Sequence, residues 1–301
     1  MPLRLCLMKI RSAEEIGGTV PDQVPKPSAL RVAIVRAAHQ LLDFPIVFED
    51  PFALKILGVA AEDSLRSDPL RYNTPLLKAL RASLVVRSRL AEEEWACSKN
   101  RGVRQYVILG AGLDTFAYRS RDQAGGRVFE VDLPETQFWK RGCLRAAGIN
   151  EPESLTFVPM DFEQSTLAEK LGEAQFCLDE PAFFSWLGVT MYLGKDAFVN
   201  TLRFIASLAG GSGVVFDYGV TPGLLSAGER AAVELVAARA AEHGESWKSL
   251  FDPASIAEIL RSQRFSELKE FGPEELNDRY FSGRTDGLRK SGISRLICAR
   301  L

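Results

Sequence analysis

The sequence lacks the residues and patterns on which several common enzyme classes depend. Its 301 residues include two histidines, His39 and His243, and five cysteines without a Cys-x-x-Cys pair. A zinc site of the usual kind needs a cluster of such side chains, so no metal is expected. The odd, scattered cysteines indicate free thiols and a cytoplasmic setting. A serine hydrolase is also disfavoured, because the segment GGSGV (residues 210–214) has valine where the nucleophile elbow needs its last glycine.

Two further absences concern the partners of the protein. The formal net charge is -2, and no basic stripe with interleaved aromatic residues is present, which argues against a nucleic-acid-binding surface. No apolar run approaches the roughly 20 residues that cross a bilayer. The apolar stretch in residues 1–10 is short and interrupted by Arg4 and Lys9, unlike a secretory signal. We therefore expect a small-molecule substrate and neither nucleic acid nor membrane, whereas the oligomeric state stays open.

The first hundred residues carry helical patterns. Residues 1–27 are rich in proline and glycine and predict a loose N-terminal segment. Ser28 resembles an N-cap, and apolar residues follow it at helical spacing. A second helix is predicted to begin near Pro51 with Asp50 as its cap, and a third to cover residues 75–95. The pattern predicts a helical cap over residues 28–100 of a single domain that runs from 28 to 301.

From residue 101 the pattern changes to short apolar runs separated by helix-like stretches. The strand candidates are residues 106–109, 128–131, 155–158, 182–187, 214–218 and 293–299. Such unbroken runs are typical of strands that are buried on both faces of a parallel sheet. Their alternation with helical stretches at 136–147, 196–208 and 253–264 predicts βαβ units. The fold class is therefore α/β, with a doubly wound, mostly parallel sheet.

An alanine-rich stretch interrupts this alternation and predicts a helical insertion near residues 222–250. An insertion after the fifth strand would lie above the carboxyl edge of the sheet, where ligands bind in such folds. One hypothesis is that residues 227–243 form a lid over the substrate. A helix that merely packs on the flank of the sheet fits the pattern equally well.

The most informative segment is VILGAGLDT (residues 107–115), which predicts a strand that runs into a glycine turn and then a helix. Glycines there allow a tight turn and a close approach of a cofactor to the backbone. Asp132 ends the next predicted strand, at the spacing where a carboxylate binds a ribose diol. A pyrophosphate cofactor favours a third small residue where Thr115 stands, and it would be repelled by Asp114. The loop therefore favours S-adenosylmethionine (SAM) over NAD, although an NAD-dependent oxidoreductase remains an alternative.

Four segments together resemble the leucine carboxyl methyltransferase family. The glycine segment with Tyr118 and Arg119 resembles its first motif, and FEVDLP (129–134) with Lys140 its second. DPF (50–52) matches its N-terminal helical region, and VPMDF (158–162) the segment after the third strand. The resemblance covers about residues 28–192 and is strongest to the bacterial branch. It implies a class I, Rossmann-like fold with a seven-stranded sheet, SAM as cofactor and methyl transfer to oxygen.

The resemblance also implies roles for individual residues. The cofactor-binding residues would be Arg87, Gly110, Ala111, Gly112, Asp132, Leu133, Asp161, Phe162 and Trp186. Gly110 would line the methionine part of SAM and Asp132 would hold the ribose hydroxyls, while Asp161 and Phe162 would bound the adenine. Arg87 would bind the methionine carboxylate, with Arg81 as the second choice and Arg36 as a weaker match.

One departure from the family concerns the segment SWLGVTMYL (185–193). It places Leu187 where the eukaryotic enzymes carry a glutamate, which argues against a protein C-terminus as the substrate. A small-molecule carboxylate is already ionised and needs no general base, whereas a phenol would need one. His243 is the one candidate for such a base, but it is better interpreted as an ordinary surface histidine. The catalytic residues stay open, and a SAM-binding protein without methyl transfer is a second alternative.

Overall fold

The computed structural model describes residues 27–119 and 126–301. The predicted loose segment therefore lies outside the described residues, except for Pro27, the first residue of a helix. Among the described residues, three cap helices precede the sheet: α1 (Pro27–Leu42), α2 (Val59–Ser67) and α3 (Pro75–Asn100). The last begins where sequence predicts, because Thr74 accepts a hydrogen bond from the Leu77 N–H and Pro75 occupies the first turn.

The prediction of a helix that begins near Pro51 is wrong. Residues 51–54 form a turn, a short 3₁₀ segment covers Lys55–Leu57, and α2 begins only after Gly58, which has φ +83°. Asp50 does accept a hydrogen bond from the Phe52 N–H (3.1 Å), but its other oxygen accepts one from the Thr115 hydroxyl (2.7 Å). The carboxylate thus caps a turn and ties that turn to the glycine loop.

The sheet has seven strands in the order β3-β2-β1-β4-β5-β7-β6. The strands are β1 (Gln105–Leu109), β2 (Arg127–Asp132), β3 (Leu155–Pro159), β4 (Ala182–Trp186), β5 (Gly213–Gly219), β6 (Glu267–Phe271) and β7 (Ser294–Arg300). The first five are parallel, and β7 runs antiparallel to both β5 and β6. The predicted doubly wound α/β fold is confirmed.

The apolar pattern alone missed β6. Its sequence, ELKEF, contains three charged residues, and among its positions only Phe271 is buried. An edge strand exposes one side to solvent, so it needs no unbroken apolar run.

Helices connect the strands: α4 (described over Phe116–Arg119), α5 (Pro134–Ala146), α6 (Leu167–Glu173), α7 (Lys195–Ala206), α8 (Ala227–Glu242), α9 (Pro253–Ser262) and α10 (Pro273–Tyr280). An apolar layer covers each face of the sheet. Leu109 packs in the layer that contains Phe198 of α7, whereas Ile108 packs in the layer that contains Val85 of α3. Neighbouring residues of a strand thus pack into the apolar layers on opposite faces of the sheet, which explains why β1 is buried along its whole length. None of the described helices has the length and apolar composition that crossing a bilayer needs.

Candidate functional site

A cavity of about 580 Å³ opens at the carboxyl edge of the sheet. The chain winds from β1 through β2 to β3 in one direction and from β4 to β5 in the other, so the switch point lies between β1 and β4. Loops after β1, β2, β3 and β4 form the floor of the cavity, and α1, α3 and residues 244–248 cover it. Both the place and the volume are typical of small-molecule sites.

The glycine loop after β1 is fixed to β2. The N–H groups of Gly110 and Ala111 donate to the Val131 carbonyl (2.8 and 3.2 Å), and the Gly112 N–H donates to Asp132 Oδ2 (2.5 Å). Gly110 and Gly112 have φ values of +68° and +48°, a conformation that favours glycine. The backbone itself thus lines the cavity.

Asp132 is the last residue of β2, Leu133 is the next residue, and both line the cavity. The Asp132 carboxylate also accepts from the Leu133 N–H (2.7 Å). Burial raises the pKa of Asp132, although the hydrogen bonds from the Gly112 and Leu133 N–H groups oppose that shift. A buried carboxylate at this position is equipped to accept further hydrogen bonds from a diol.

Asp161 and Phe162 lie in the wall beyond β3. The Asp161 carboxylate accepts from the Glu163 N–H and the Gln164 amide, both at 2.9 Å, which fixes its orientation. Phe162 presents an aromatic surface beside it.

Trp186 does not lie at the cofactor site, where the family resemblance predicted it. It is 0 % exposed, is absent from the cavity wall and stacks on Phe198 with the ring centroids 5.3 Å apart. As the last residue of β4 it points into the core, and Phe162 lies between it and the cavity with a centroid distance of 6.4 Å.

The structure separates the three candidate arginines. Arg81 is excluded from the cavity, because its guanidinium is held in the cap by Asp43 (2.6 and 2.8 Å) and the Tyr72 carbonyl (2.6 Å). Arg87 and Arg36 both line the cavity. Arg87 approaches from α3 and Arg36 from α1, so two cations face the glycine loop and the turn after β4.

Three residues of the family-like segments form one buried network with Arg36 behind the glycine loop. Thr115 donates to Asp50, and Arg119 donates to Thr115 (2.9 Å). Arg36 pairs with Asp50 (3.0 Å) and donates to the Leu113 carbonyl. The network clamps the loop between the cap and the sheet.

Several wall residues were missed by sequence reasoning. They come from α1, the segment after β4 and the segment after α8: Ser28, Arg31, Met191, Tyr192, Glu245, Trp247 and Lys248. Ser28 donates to Glu245 through both its N–H (3.1 Å) and its hydroxyl (2.5 Å). Tyr192 lies in a segment that the sequence had marked, but no local signal links Ser28 to a residue 217 positions away.

The two histidines lie elsewhere. His39 is 0 % exposed in the cap, where Nδ1 bonds Asp43 (2.8 Å) and Nε2 accepts from the N–H groups of Val47 and Phe48 (3.1 and 3.2 Å). His243 is exposed and bonds the Arg239 carbonyl (2.8 Å). Neither belongs to the cavity wall.

The predicted insertion lies over the cavity. Val236 of α8 and residues 244–248 line it, the Lys248 N–H donates to the Met191 carbonyl (2.7 Å), and the Lys248 ammonium pairs with Glu163 (3.1 Å). Half of the residues of α8 are exposed to solvent, and Val233 and Ala240 are buried. This placement is the one that a lid requires.

If α8 acts as a lid, S-adenosylhomocysteine (SAH) should slow tryptic cleavage at Arg230 and Arg239. Cleavage through local opening should fall about 100-fold at a ligand concentration 100 times Kd. Timed digestion with mass spectrometry measures this, and Arg261 in α9 is the internal control. Equal cleavage rates with and without SAH would identify α8 as a static flank helix.

Comparison with known proteins places these features in a family. A sequence model of the leucine carboxyl methyltransferase family matches residues 29–206. Bacillus subtilis YktD, named as a SAM-dependent methyltransferase, is 30 % identical over 292 residues, covering 87 % of this chain and 93 % of that protein. A protein of the same designation from Mycolicibacterium paratuberculosis is 31 % identical over 201 residues, covering 64 % and 65 % of the two chains.

A crystallised protein from Thermobifida fusca, described as a methyltransferase, shares the fold. Its TM-score is 0.54 at 18 % identity, with 92 % of this chain and 98 % of that chain covered.

The match to the family model and the similarity to YktD show that the chain belongs to the leucine carboxyl methyltransferase family, and it is a class I methyltransferase that depends on SAM.

Proposed function

We propose that this enzyme transfers the methyl group of SAM to a carboxylate of a small molecule. The observation that carries the proposal is Arg31 in the cavity wall, which forms no ion pair with any of the described residues. A cation without an anionic partner in an enclosed site favours an anionic ligand.

The residues present fit SAM. Asp132 suits the ribose hydroxyls, Asp161 and Phe162 suit the adenine, and Arg87 suits the methionine carboxylate. Gly110 leaves no room for a side chain, because a Cβ there would overlap Val189. When bound, SAM supplies a methyl group activated by its sulfonium, and the protein supplies binding and orientation.

Charged groups converge on the Tyr192 phenol, which marks the acceptor end of the cavity. Burial raises the pKa of Tyr192, and the charge of Glu245 raises it further. The Trp247 indole and the guanidinium groups of Arg87 and Arg31 act in the opposite direction. Arg31 and Tyr192 line the same cavity, and we place the acceptor carboxylate beside Arg31.

The described wall contains no histidine, which supports an acceptor that is ionised at neutral pH. The Glu245 carboxylate of the wall is held by two hydrogen bonds from Ser28. A carboxylate has an ordinary pKa of about 4 and needs no proton removed. The role of the protein is then to align the acceptor oxygen with the methyl group and to exclude water.

The cover over the cavity favours a small acceptor. Residues 244–248 close the cavity from one side, α1 closes it from the other, and the Ser28–Glu245 hydrogen bonds join them. Leu187 and Met191 make the wall beside the Gly188 turn apolar. An acid with an apolar body fits these surroundings better than a protein C-terminus.

A paired substrate panel tests the proposal. Each acid is assayed beside the matching alcohol or phenol, with SAM that is radiolabelled on its methyl group. We expect transfer to acids, alkali-labile products, and a KM for the acid raised about 10-fold or more in Arg31→Gln. The control is Arg89→Gln, an exposed arginine paired with Glu93, which should leave KM unchanged. Transfer to alcohols or phenols alone would contradict the proposal, and SAM binding without any transfer would favour a binding protein.

A further inference from the structure

The wall between α3 and β4 contains an arginine that lies against a glycine turn. Gly188 has φ +72°, and a Cβ at this position would come within 2.7 Å of Arg87 Nη2. The turn and the guanidinium are therefore in contact, and each restricts where the other can lie.

Asp217 of β5 holds both of these groups. Its Oδ2 lies 3.0 Å from Arg87 Nη1, and its Oδ1 accepts a hydrogen bond from the Gly188 N–H (2.5 Å). Its backbone carbonyl accepts from the Thr190 hydroxyl (2.7 Å). One residue of β5 thus fixes the whole turn after β4 and the arginine that packs on it.

Asp217 does this from behind the wall. It is 3 % exposed and is absent from the cavity lining, whereas Arg87 and Gly188 belong to the lining. Its contact to Arg87 engages Nη1, and Nη2 lies over Gly188. A carboxylate in this place acts on a ligand through Arg87.

The charge of Asp217 also acts on a second cation, Lys290. Lys290 is 4 % exposed and donates to the carbonyls of Ser291 (3.1 Å) and Ser294. Burial lowers the pKa of Lys290 to about 8, and the charge of Asp217 opposes that shift. The charge of Asp217 therefore acts on Lys290 as well as on Arg87, with which it forms an ion pair.

We propose that Asp217 is a positioning residue that orients Arg87 toward the methionine carboxylate of SAM and fixes the Gly188 turn. This inference rests on the assignment of Arg87 in the proposed function.

Two ligands separate this role from a general structural one. SAH contains the amino-acid part, whereas 5′-methylthioadenosine keeps the adenine and ribose and lacks the amino-acid part. We expect Asp217→Asn to weaken SAH binding about 10-fold or more in calorimetry and to leave 5′-methylthioadenosine binding within about twofold. Arg87→Gln should show the same selectivity, and the double variant should bind SAH no more weakly than Arg87→Gln alone.

The control variant is Glu93→Gln, which removes a carboxylate that pairs with Arg89 and Arg279 at the surface and should change neither affinity. If Asp217→Asn does not fold, Asp217→Glu keeps the charge, displaces the guanidinium and should give the same selective loss. An equal loss for both ligands, or no loss in Asp217→Asn when Arg87→Gln loses SAH, would overturn the inference. Unchanged SAH binding in Arg87→Gln would overturn it too, but would leave the acceptor panel as an independent test of carboxylate methylation.

Discussion

Lys140→Met is expected to lower the free energy of unfolding by about 3–5 kcal/mol. Lys140 of α5 pairs with Glu130 of β2, with Nζ and Oε2 2.6 Å apart and both side chains 1 % exposed. Burial raises the pKa of Glu130 to about 7, and Lys140 acts against that shift. Without the ammonium, buried Glu130 must either keep a charge that no cation compensates or bind a proton to lose it, which is the costly half of a broken ion pair.

Urea unfolding of purified variants measures this effect. The double variant Lys140→Met/Glu130→Gln should regain part of the loss, because it removes the charge that was left behind. Lys170→Met breaks an exposed pair with Glu173 and should cost at most about 1 kcal/mol. If the free energy of unfolding of Lys140→Met lies within about 1 kcal/mol of the wild-type value, this ion pair does not stabilise the fold.

The pH dependence gives a second check on the same variant. A carboxyl group whose folded pKa is raised stabilises the fold most at low pH, and this contribution is lost as pH rises through the folded value. Removing Lys140 raises the folded pKa of Glu130 further. The stability of Lys140→Met relative to the wild type should therefore fall as pH rises above about 7, the folded pKa of Glu130 in the wild type, because only the variant still holds the Glu130 proton there.

Asp132→Ala is expected to weaken SAM binding by about 1.5–3 kcal/mol, or roughly 10- to 150-fold. The variant loses the charge-assisted hydrogen bonds to the ribose and the hydrogen bond from the Gly112 N–H. Calorimetry with SAM and SAH measures the change. Asp196→Ala, in the first turn of α7, is the control and should bind normally.

A comparison of ligands identifies the ribose as the partner of Asp132. The wild type should prefer adenosine to 2′,3′-dideoxyadenosine, and Asp132→Ala should lose this preference. Because the pKa of Asp132 is raised by burial, wild-type binding should weaken as pH falls through that value, since protonation removes the charge that accepts from the diol. A folded Asp132→Ala protein with unchanged affinity for SAM would refute the assignment.

The sequence by itself determined the central sheet and the cofactor loop. Strands β1, β2, β4, β5 and β7 appeared as short apolar runs because both of their faces are buried, so their residue types reflect that environment. Strand β3 appeared in the same way, although it lies at an edge of the sheet and only Val158 in it is buried. The glycine loop and Asp132 were predictable because the tight turn and the place of a carboxylate at the end of β2 depend on neighbouring residues and fixed spacing. The motif residues Asp50, Thr115 and Arg119 were also visible, but nothing in the sequence showed that they form one hydrogen-bonded network.

The tertiary structure alone decided which polar residues meet at the cavity. Arg81 and Arg87 lie on one helix, yet Asp43 holds the first in the cap and Asp217 holds the second at the cavity. Trp186 ends β4 on the face that packs into the core, which its residue type could not reveal. The Ser28–Glu245 and Arg87–Asp217 contacts join residues far apart in the chain. Local pattern reflects burial and turn geometry, whereas contacts of this kind depend on how the cap, the insertion and β5 pack together, so only the folded chain could show them.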